Sequence, residues 1–145
     1  MQLTSYTDYG LRVLIYLACA DDGATVAEIA DQYGISRNHL VKVVHRLSQL
    51  GYILTERGRF GGIRLANPPK DIRLGQVVRD LETTRAIVEC FSPETNTCPI
   101  APVCGLKGVL ARAEAAFQQV LDEHTLADVI VDRSVLSAIL LPAQE

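Results

Sequence analysis

Apolar residues recur every three or four positions along much of the chain, a spacing that predicts α-helices. The predicted helices span residues 7–20, 26–33, 37–50, 74–82 and 105–123. In the first helix, one apolar face is formed by Leu11, Leu14, Ile15 and Ala18. Two short runs, 52–56 and 63–65, predict strands because a glycine-rich loop joins them. A last apolar segment, 126–141, predicts a helix docked on the rest of the protein.

Polar residues and glycines mark the ends of the short helices. Thr25 and Glu28 have the spacing of a capping box, and Ser36 is a candidate cap for the helix that follows it. Gly34 predicts a turn with left-handed backbone between helices 26–33 and 37–50, and Gly51 ends the second of them. Two short helices joined in this way predict a helix-turn-helix, and the hairpin after them predicts a winged helix.

The predicted fold class is therefore mainly α with a small β-hairpin wing, a winged helix-turn-helix followed by a long dimerisation helix. Residues 1–82 are predicted to form the winged domain, and residues 83–145 a loop at 90–104 with the dimerisation region. Helix 105–123 has a heptad-like apolar stripe that suits packing against a partner helix. The stripe consists of Leu106, Leu110, Ala113, Phe117 and Val120.

Charge is distributed unevenly along the 145 residues. The whole chain carries −3, whereas residues 36–65 carry +5 and the remainder therefore carries −8. The cations of this segment are Arg37, Lys42, Arg46, Arg57, Arg59 and Arg64. Cations on the third helix and the wing predict binding of double-stranded DNA, because these parts of a winged helix face the phosphates. For any single residue the alternative is a solvated polar face, but the basic helix and the wing occur in the expected order.

The third helix has an apolar face and a polar face, and the polar face is predicted to meet DNA. The inward residues are Leu40, Val43, Val44 and Leu47. A recognition helix enters the major groove by its amino-terminal end, where side chains read base edges, while other contacts hold phosphates. The predicted DNA contacts are Arg37, Asn38 and His39 for bases, Ser36 and Lys42 for phosphates, and Arg57 and Arg59 for the wing.

The amino-terminal segment has no basic region ahead of an apolar run, and no run approaches the roughly 18 apolar residues of a membrane span. The sequence thus predicts a cytoplasmic protein that does not contact membranes. Thiols stay reduced in that compartment, so clustered cysteines indicate a metal site or reactive thiols rather than disulfides.

Cys90, Cys98 and Cys104 lie together in the predicted loop, which can wrap around a metal centre. Thiolates are soft ligands that suit iron–sulfur clusters or zinc, and the absence of a two-residue gap between cysteines disfavours zinc. Three thiols leave a four-coordinate site one ligand short, so an outside donor is needed, and a carboxylate from another chain would serve. The alternative is three idle cysteines. Cys19 lies beside the apolar stripe of the first helix and is predicted to be a core residue.

The sequence also bears on whether the protein is an enzyme or a protein of another functional class. The sequence shows no Ser/His/Asp grouping, phosphate-cradling glycine motif or paired carboxylates, so the protein is predicted not to be an enzyme. A metal-free thiol-redox repressor and a zinc-stabilised interaction module remain as alternatives.

Four features together carry a resemblance to a known family: the amino-terminal segments 1–4 and 7–12, segment 34–42, the wing 57–65 and the three cysteines. They resemble the bacterial iron–sulfur winged-helix repressors that include NsrR, a nitric oxide sensor, and its relative IscR. The resemblance covers residues 1–132, and the segment Ser36-Arg37-Asn38-His39 is closer to NsrR than to IscR. IscR-like proteins carry a histidine three residues after the third cysteine, where this chain has Lys107. That difference disfavours an iron–sulfur homeostasis regulator like IscR, which stays an alternative.

The resemblance implies a homodimeric repressor that binds palindromic promoter DNA and is released by nitric oxide. Each chain would hold one cluster through Cys90, Cys98 and Cys104, with 4Fe–4S preferred and 2Fe–2S as the alternative. The seven-residue gap between the first two cysteines is longer than in most relatives, which leaves the cluster type open. The fourth ligand would be Asp8 of the partner subunit. Asp8 has an alternative role, favouring the first helix dipole and pairing with Arg12.

Overall fold

A computed structural model describes residues 2–58, 61–83 and 86–141. The helices are α1 (Ser5–Cys19), α2 (Val26–Tyr33), α3 (Arg37–Gln49), α4 (Leu74–Leu81), α5 (Gly105–Asp122) and α6 (Arg133–Leu140). The strands β1 (Ile53–Thr55) and β2 (Ile63–Leu65) form an antiparallel hairpin, with Leu54 opposite Arg64. Short 3-10 helices occur at Pro69–Asp71, Glu89–Phe91 and Ala127–Val129. The predicted class, mainly α with a small wing, is confirmed.

Helix α1 lies at the centre of the fold, in contact with α3, α4, α6 and β2. The predicted apolar face is only partly right, because Leu11 and Ile15 are half-buried while Val13 and Leu17 are buried. A helix surrounded by other elements has no single apolar face, so a simple stripe understates what it buries. Cys19, at its last position, is buried as predicted.

The helix-turn-helix forms as the sequence predicts, with one correction. Thr25 and Glu28 make the reciprocal bonds of a capping box, and Gly34 adopts left-handed backbone with φ of 63°. Ser36 occupies the cap position of α3, but its side chain makes no capping hydrogen bond with the described residues. Its backbone carbonyl accepts from the amides of His39 and Leu40, as the carbonyl of a cap residue does at the start of a helix.

The wing is anchored to the core by two buried isoleucines, Ile53 on β1 and Ile63 on β2. Strand β1 is shorter than the predicted 52–56, although Glu56 continues the pairing through backbone hydrogen bonds with Gly62. Backbone bonds between Ala24 and Ile63 join the hairpin to the segment before α2. The base of the wing is therefore held next to the helix-turn-helix by apolar packing and backbone hydrogen bonds.

The carboxy-terminal segment returns to the core after α5. Leu126 and Leu140 are buried in the same apolar cluster as α1, so the segment docks as predicted. It is not a single helix over 126–141, because the 3-10 helix Ala127–Val129 ends before α6, whose start is capped by the Asp132 side chain. Arg79 of α4 donates to both carboxylate oxygens of Asp122, at 2.7 and 2.8 Å, and so ties α5 to the winged domain. The division at residues 1–82 and 83–145 stays a prediction. None of the helices in the described ranges has the length and apolar character needed to cross a bilayer.

Candidate nucleic-acid interface and metal-binding loop

Helix α3 packs its apolar inward face against the core and presents a mostly polar and basic outward face. The apolar residues of the inward face are buried as predicted: Leu40, Val43, Val44 and Leu47. The predicted contact residues are all exposed on the other side or at the helix start: Ser36, Arg37, Asn38, His39 and Lys42. The structure thus places all five on the exposed surface of the amino-terminal half of a helix that is packed against the core.

The wing supplies further charge beside this helix. Arg57 is exposed at the start of the wing loop, whereas Arg59 lies outside the described residues. Arg64, on β2, donates to Glu56 at 2.7 Å, so part of its charge is neutralised within the hairpin. The basic character of the interface therefore comes mainly from α3 and the wing loop.

Tyr6 links α1 to the recognition helix, a contact that sequence reasoning missed. Its hydroxyl donates to the backbone carbonyl of Lys42 at 3.1 Å. Partial burial raises the pKa of Tyr6, and the positive charge of Arg46 opposes this shift. The phenol thus stays protonated near neutral pH and keeps its proton available for this bond. No local sequence pattern reports it, because the two residues are 36 positions apart.

Glu82 joins the start of α1 to the end of α4, another contact that sequence reasoning missed. Its carboxylate accepts from the Thr4 amide at 3.0 Å, the Thr4 hydroxyl at 3.2 Å and the Thr7 hydroxyl at 2.8 Å. Thr7 is completely buried, so its hydroxyl depends on partners within the protein. We call Glu82, Thr4 and Thr7 the Glu82 cluster. It fixes the first turn of α1, the turn that carries Asp8.

Asp8 forms the ion pair that the sequence offered as its alternative role. Its carboxylate lies 2.8 Å from the Arg12 guanidinium one turn along α1, and the Asp8 side chain is 43% exposed. An exposed pair of this kind adds little to stability because water and salt screen it. The contact holds the carboxylate at the surface of the first turn and does not use its remaining oxygen.

The three predicted ligand cysteines lie on one irregular segment and are all free and half-buried. Cys90 lies in the 3-10 helix Glu89–Phe91, and Cys104 occupies the cap position of α5. Glu89 accepts hydrogen bonds from the amide and hydroxyl of Thr97, which lower the pKa of its carboxyl. Because these residues flank Cys90 and Cys98, the bonds tie the two cysteine positions together across the loop.

The donor set fits an iron–sulfur cluster in its chemistry, since thiolates on an irregular loop are the usual ligands of such clusters. Among the described residues, no group of three His, Cys, Asp or Glu side chains is placed to hold a metal ion. The single chain thus carries the three thiols but does not bring them together into one metal-binding group. A cleft of about 700 Å³ separates the loop from α5, and its lining includes Cys90 and Lys107.

Cys19 differs from the other three cysteines. It is buried in the core beside α6, and burial raises the pKa of its thiol. A buried thiol with a raised pKa is a poor nucleophile and a poor ligand. The predicted packing role of Cys19 agrees with this placement.

The chain is similar in sequence to known transcriptional regulators. A family model described as "Rrf2: Iron-dependent Transcriptional regulator" matches residues 3–132. The HTH-type transcriptional regulator NsrR of Bacillus subtilis is 51% identical over 142 residues, which are 97% of this chain and 97% of that protein. The regulator of the same name from Shouchella clausii is also 51% identical over 142 residues, covering 97% and 95% of the two chains.

A solved structure shows the same fold. CymR, the global cysteine regulator of B. subtilis, superposes with a TM-score of 0.71 at 27% identity, over 89% of this chain and 95% of CymR. The predicted resemblance is confirmed, as is the expectation of a regulator rather than an enzyme, since the relatives are named transcriptional regulators. This chain belongs to the Rrf2 family of iron-dependent transcriptional regulators.

Proposed function

We propose that this protein is a nitric-oxide-responsive transcriptional repressor, a cytoplasmic homodimer that binds palindromic promoter DNA. One observation carries the proposal: a winged helix with an exposed basic recognition helix is joined to a segment holding three free, half-buried thiols. The first part supports DNA binding and the second a thiolate-bound sensor. The identity to regulators named NsrR supports joining the two in one function.

The DNA contacts of the proposal divide into two kinds. Arg37, Asn38 and His39, at the start of α3, would read base edges, where arginine pairs with guanine and asparagine with adenine. The other contacts would hold phosphates and fix the register of the protein on the duplex. These positioning residues are Ser36, Lys42, Arg57 and Arg59.

Cys90, Cys98 and Cys104 would hold one iron–sulfur cluster per chain, 4Fe–4S in preference to 2Fe–2S, with Asp8 of the partner subunit as the fourth ligand. When bound, the cluster would supply iron that reacts with nitric oxide. The three thiolates would be the stronger ligands and the carboxylate the weaker one, because iron in clusters favours sulfur. The Asp8 side chain is exposed on α1, which is compatible with a contact to another chain.

The residues around Asp8 provide a physical connection to DNA binding. The Glu82 cluster fixes the first turn of α1 on one side, and the Tyr6 hydroxyl holds the Lys42 carbonyl of α3 on the other. Whether Asp8 is engaged by the second chain would therefore bias the position of the recognition helix. A palindrome is bound only when two recognition helices are correctly spaced, so a small shift lowers affinity strongly. This is a two-state switch biased by a local bond.

The dimer of the proposal would form on α5. No residue of α5 is buried, and Leu106, Val109 and Val120 are each more than half exposed. Apolar side chains at these spacings suit a partner helix of the same kind. Leu106 and Val120 belong to the stripe that the sequence predicted.

A cluster-free thiol-redox repressor is the second candidate, favoured by the lack of a preformed metal site among the described residues. Its three thiols are free and half-buried, so an oxidant could reach them. Such a protein would be colourless and would respond to peroxide or thiol reagents. A homeostasis regulator of the IscR kind would respond to iron supply and is disfavoured by Lys107.

An anaerobic titration with nitric oxide tests the proposal. Visible absorbance and binding of promoter DNA are followed in the same samples of the full chain. We expect a brown protein whose colour bleaches as DNA is released. A protein that stays colourless after anaerobic reconstitution with iron and sulfide, and binds DNA regardless of nitric oxide, would leave a repressor with another signal. Release by peroxide in that colourless protein would favour the thiol-redox candidate.

A further inference from the structure

Val41 differs from every other residue on the outward side of α3. Its side chain is 49% exposed although it is apolar and branched. Within the helix-turn-helix, residues 26–49, which the structure describes throughout, it is the one large apolar side chain exposed to this extent. Apart from Leu54 on β1 of the wing, the other exposed large apolar side chains that the structure describes lie on α5, the cysteine segment and the carboxy-terminal region, where a protein surface can cover them.

The position of Val41 on the helix places it among the proposed base-reading residues. Residues three and four apart are neighbours on a helix surface. Arg37 and Asn38 therefore lie one turn before Val41, and His45 lies one turn after it, all three exposed. A helix that enters the major groove with Arg37 and Asn38 also brings Val41 to the base edges.

A valine side chain has no hydrogen-bond donor or acceptor, so it reads only an apolar feature of DNA. In the major groove that feature is the C5 methyl group of thymine. We infer that Val41 is a specificity-determining residue that contacts a thymine methyl in each half-site. This role of Val41 rests on the proposed function and on α3 being the recognition helix. The neighbouring Arg37 and Asn38 read other positions by hydrogen bonds, and Val41 selects thymine by burying methyl groups on both partners.

Exchange of thymine for uracil tests this contact because it removes one methyl group and leaves base pairing intact. The probe is a palindromic duplex that the full wild-type chain, purified anaerobically, selects from a random-sequence pool. Symmetric thymine positions are replaced by uracil one pair at a time. We expect one pair to weaken binding by about fourfold per half-site, about fifteenfold in total, as the loss of one buried methyl group implies.

Val41→Ala completes a thermodynamic cycle with these duplexes. The variant should bind the thymine duplex more weakly, by a similar factor, and should no longer distinguish uracil at the sensitive pair. Val135→Ala is the matched control, since it removes the same methyl groups from a side chain 53% exposed on α6. It should retain the full discrimination of the wild type. Val41 is exposed and alanine favours helix, so the variant is expected to fold.

Three results would overturn the inference: a selected half-site with no required thymine, equal binding of all uracil duplexes by the wild type, or full discrimination retained in Val41→Ala. In each of these the wild type still selects and binds DNA, so the proposed function stands while the assignment of Val41 falls. A wild type that selects no duplex would remove both together.

Discussion

Asp8 has two candidate roles, as a ligand of the proposed cluster and as the ion-pair partner of Arg12, and a pair of substitutions distinguishes them. Asp8→Asn removes the carboxylate that serves both as the proposed ligand and in the ion pair, whereas Arg12→Gln removes the ion pair and the contact of the guanidinium with the Tyr33 ring but keeps the carboxylate. We expect Asp8→Asn to lose its visible absorbance about tenfold faster under anaerobic nitric oxide, on the order of the effect of a lost metal-site contact. Arg12→Gln should bleach at the wild-type rate. Equal rates in Asp8→Asn and the wild type would take Asp8 out of the ligand set.

Glu82→Ala tests the Glu82 cluster. The substitution removes three accepted hydrogen bonds and leaves the buried Thr7 hydroxyl without its carboxylate partner. We expect the free energy of unfolding to fall by about 1–3 kcal/mol, because hydrogen bonds to a charged group are lost and the Thr7 hydroxyl keeps only the Thr4 hydroxyl as a partner. Urea unfolding of the apo protein measures it. In a Thr7→Val background, where that hydroxyl is absent, the cost of Glu82→Ala should be smaller, and an unchanged cost would show that Thr7 is not the coupled partner.

Helices α1 and α4 approach closely at Gly10, which gives a test of how these elements pack. A Cβ atom at Gly10 would overlap Cδ1 of Leu81, whose side chain is buried in the core. Gly10→Ala is therefore expected to destabilise the protein by about 1–3 kcal/mol through overpacking. The midpoint of urea unfolding measures the change.

Gly108→Ala is the control for that experiment. Gly108 also lies inside a helix, α5, but an added Cβ there meets no described atom within 4 Å. The same exchange should stabilise this site by roughly 0.5–1 kcal/mol because alanine favours helix over glycine. If both variants lose stability equally, a factor common to the two helices, and not the α1–α4 contact, explains the loss.

In the proposed homodimer, tight DNA binding would depend on the interface between the two α5 helices. Val120→Glu places a charge within the exposed apolar stripe of α5 and should dissociate the dimer. Affinity for a palindromic duplex should then fall about a hundredfold or more, because the second half-site is no longer bound intramolecularly. Sedimentation and a duplex titration measure the two effects together.

Ala115→Glu is the matched control for the dimer. Ala115 is exposed on the face of α5 opposite the stripe, so the same new charge should leave assembly and affinity unchanged. A Val120→Glu protein that remains a dimer would place the interface elsewhere on the molecule. A dissociated protein with full affinity would show that half-sites are bound independently.

Local patterns predicted the parts of the fold that local chemistry controls. The capping box at Thr25, the left-handed Gly34 and the buried face of α3 all follow from spacings of a few residues. The same spacings predicted which α3 residues are exposed. Ser36 shows the limit, since its residue type marked the helix start correctly but its hydroxyl makes no cap bond to the described residues. The residue type at the cap position therefore predicted where α3 begins, but not whether the side chain makes a capping hydrogen bond.

The sequence by itself determined the winged helix, its basic face and the loop with three thiols, because periodicity, charge and residue type act over short distances along the chain. Only the tertiary structure decided that α1 is buried on nearly all sides, that Glu82 holds Thr4 and Thr7, and that Tyr6 reaches α3. These contacts join residues 36 to 78 positions apart. The chain must fold before they exist, so no local pattern encodes them.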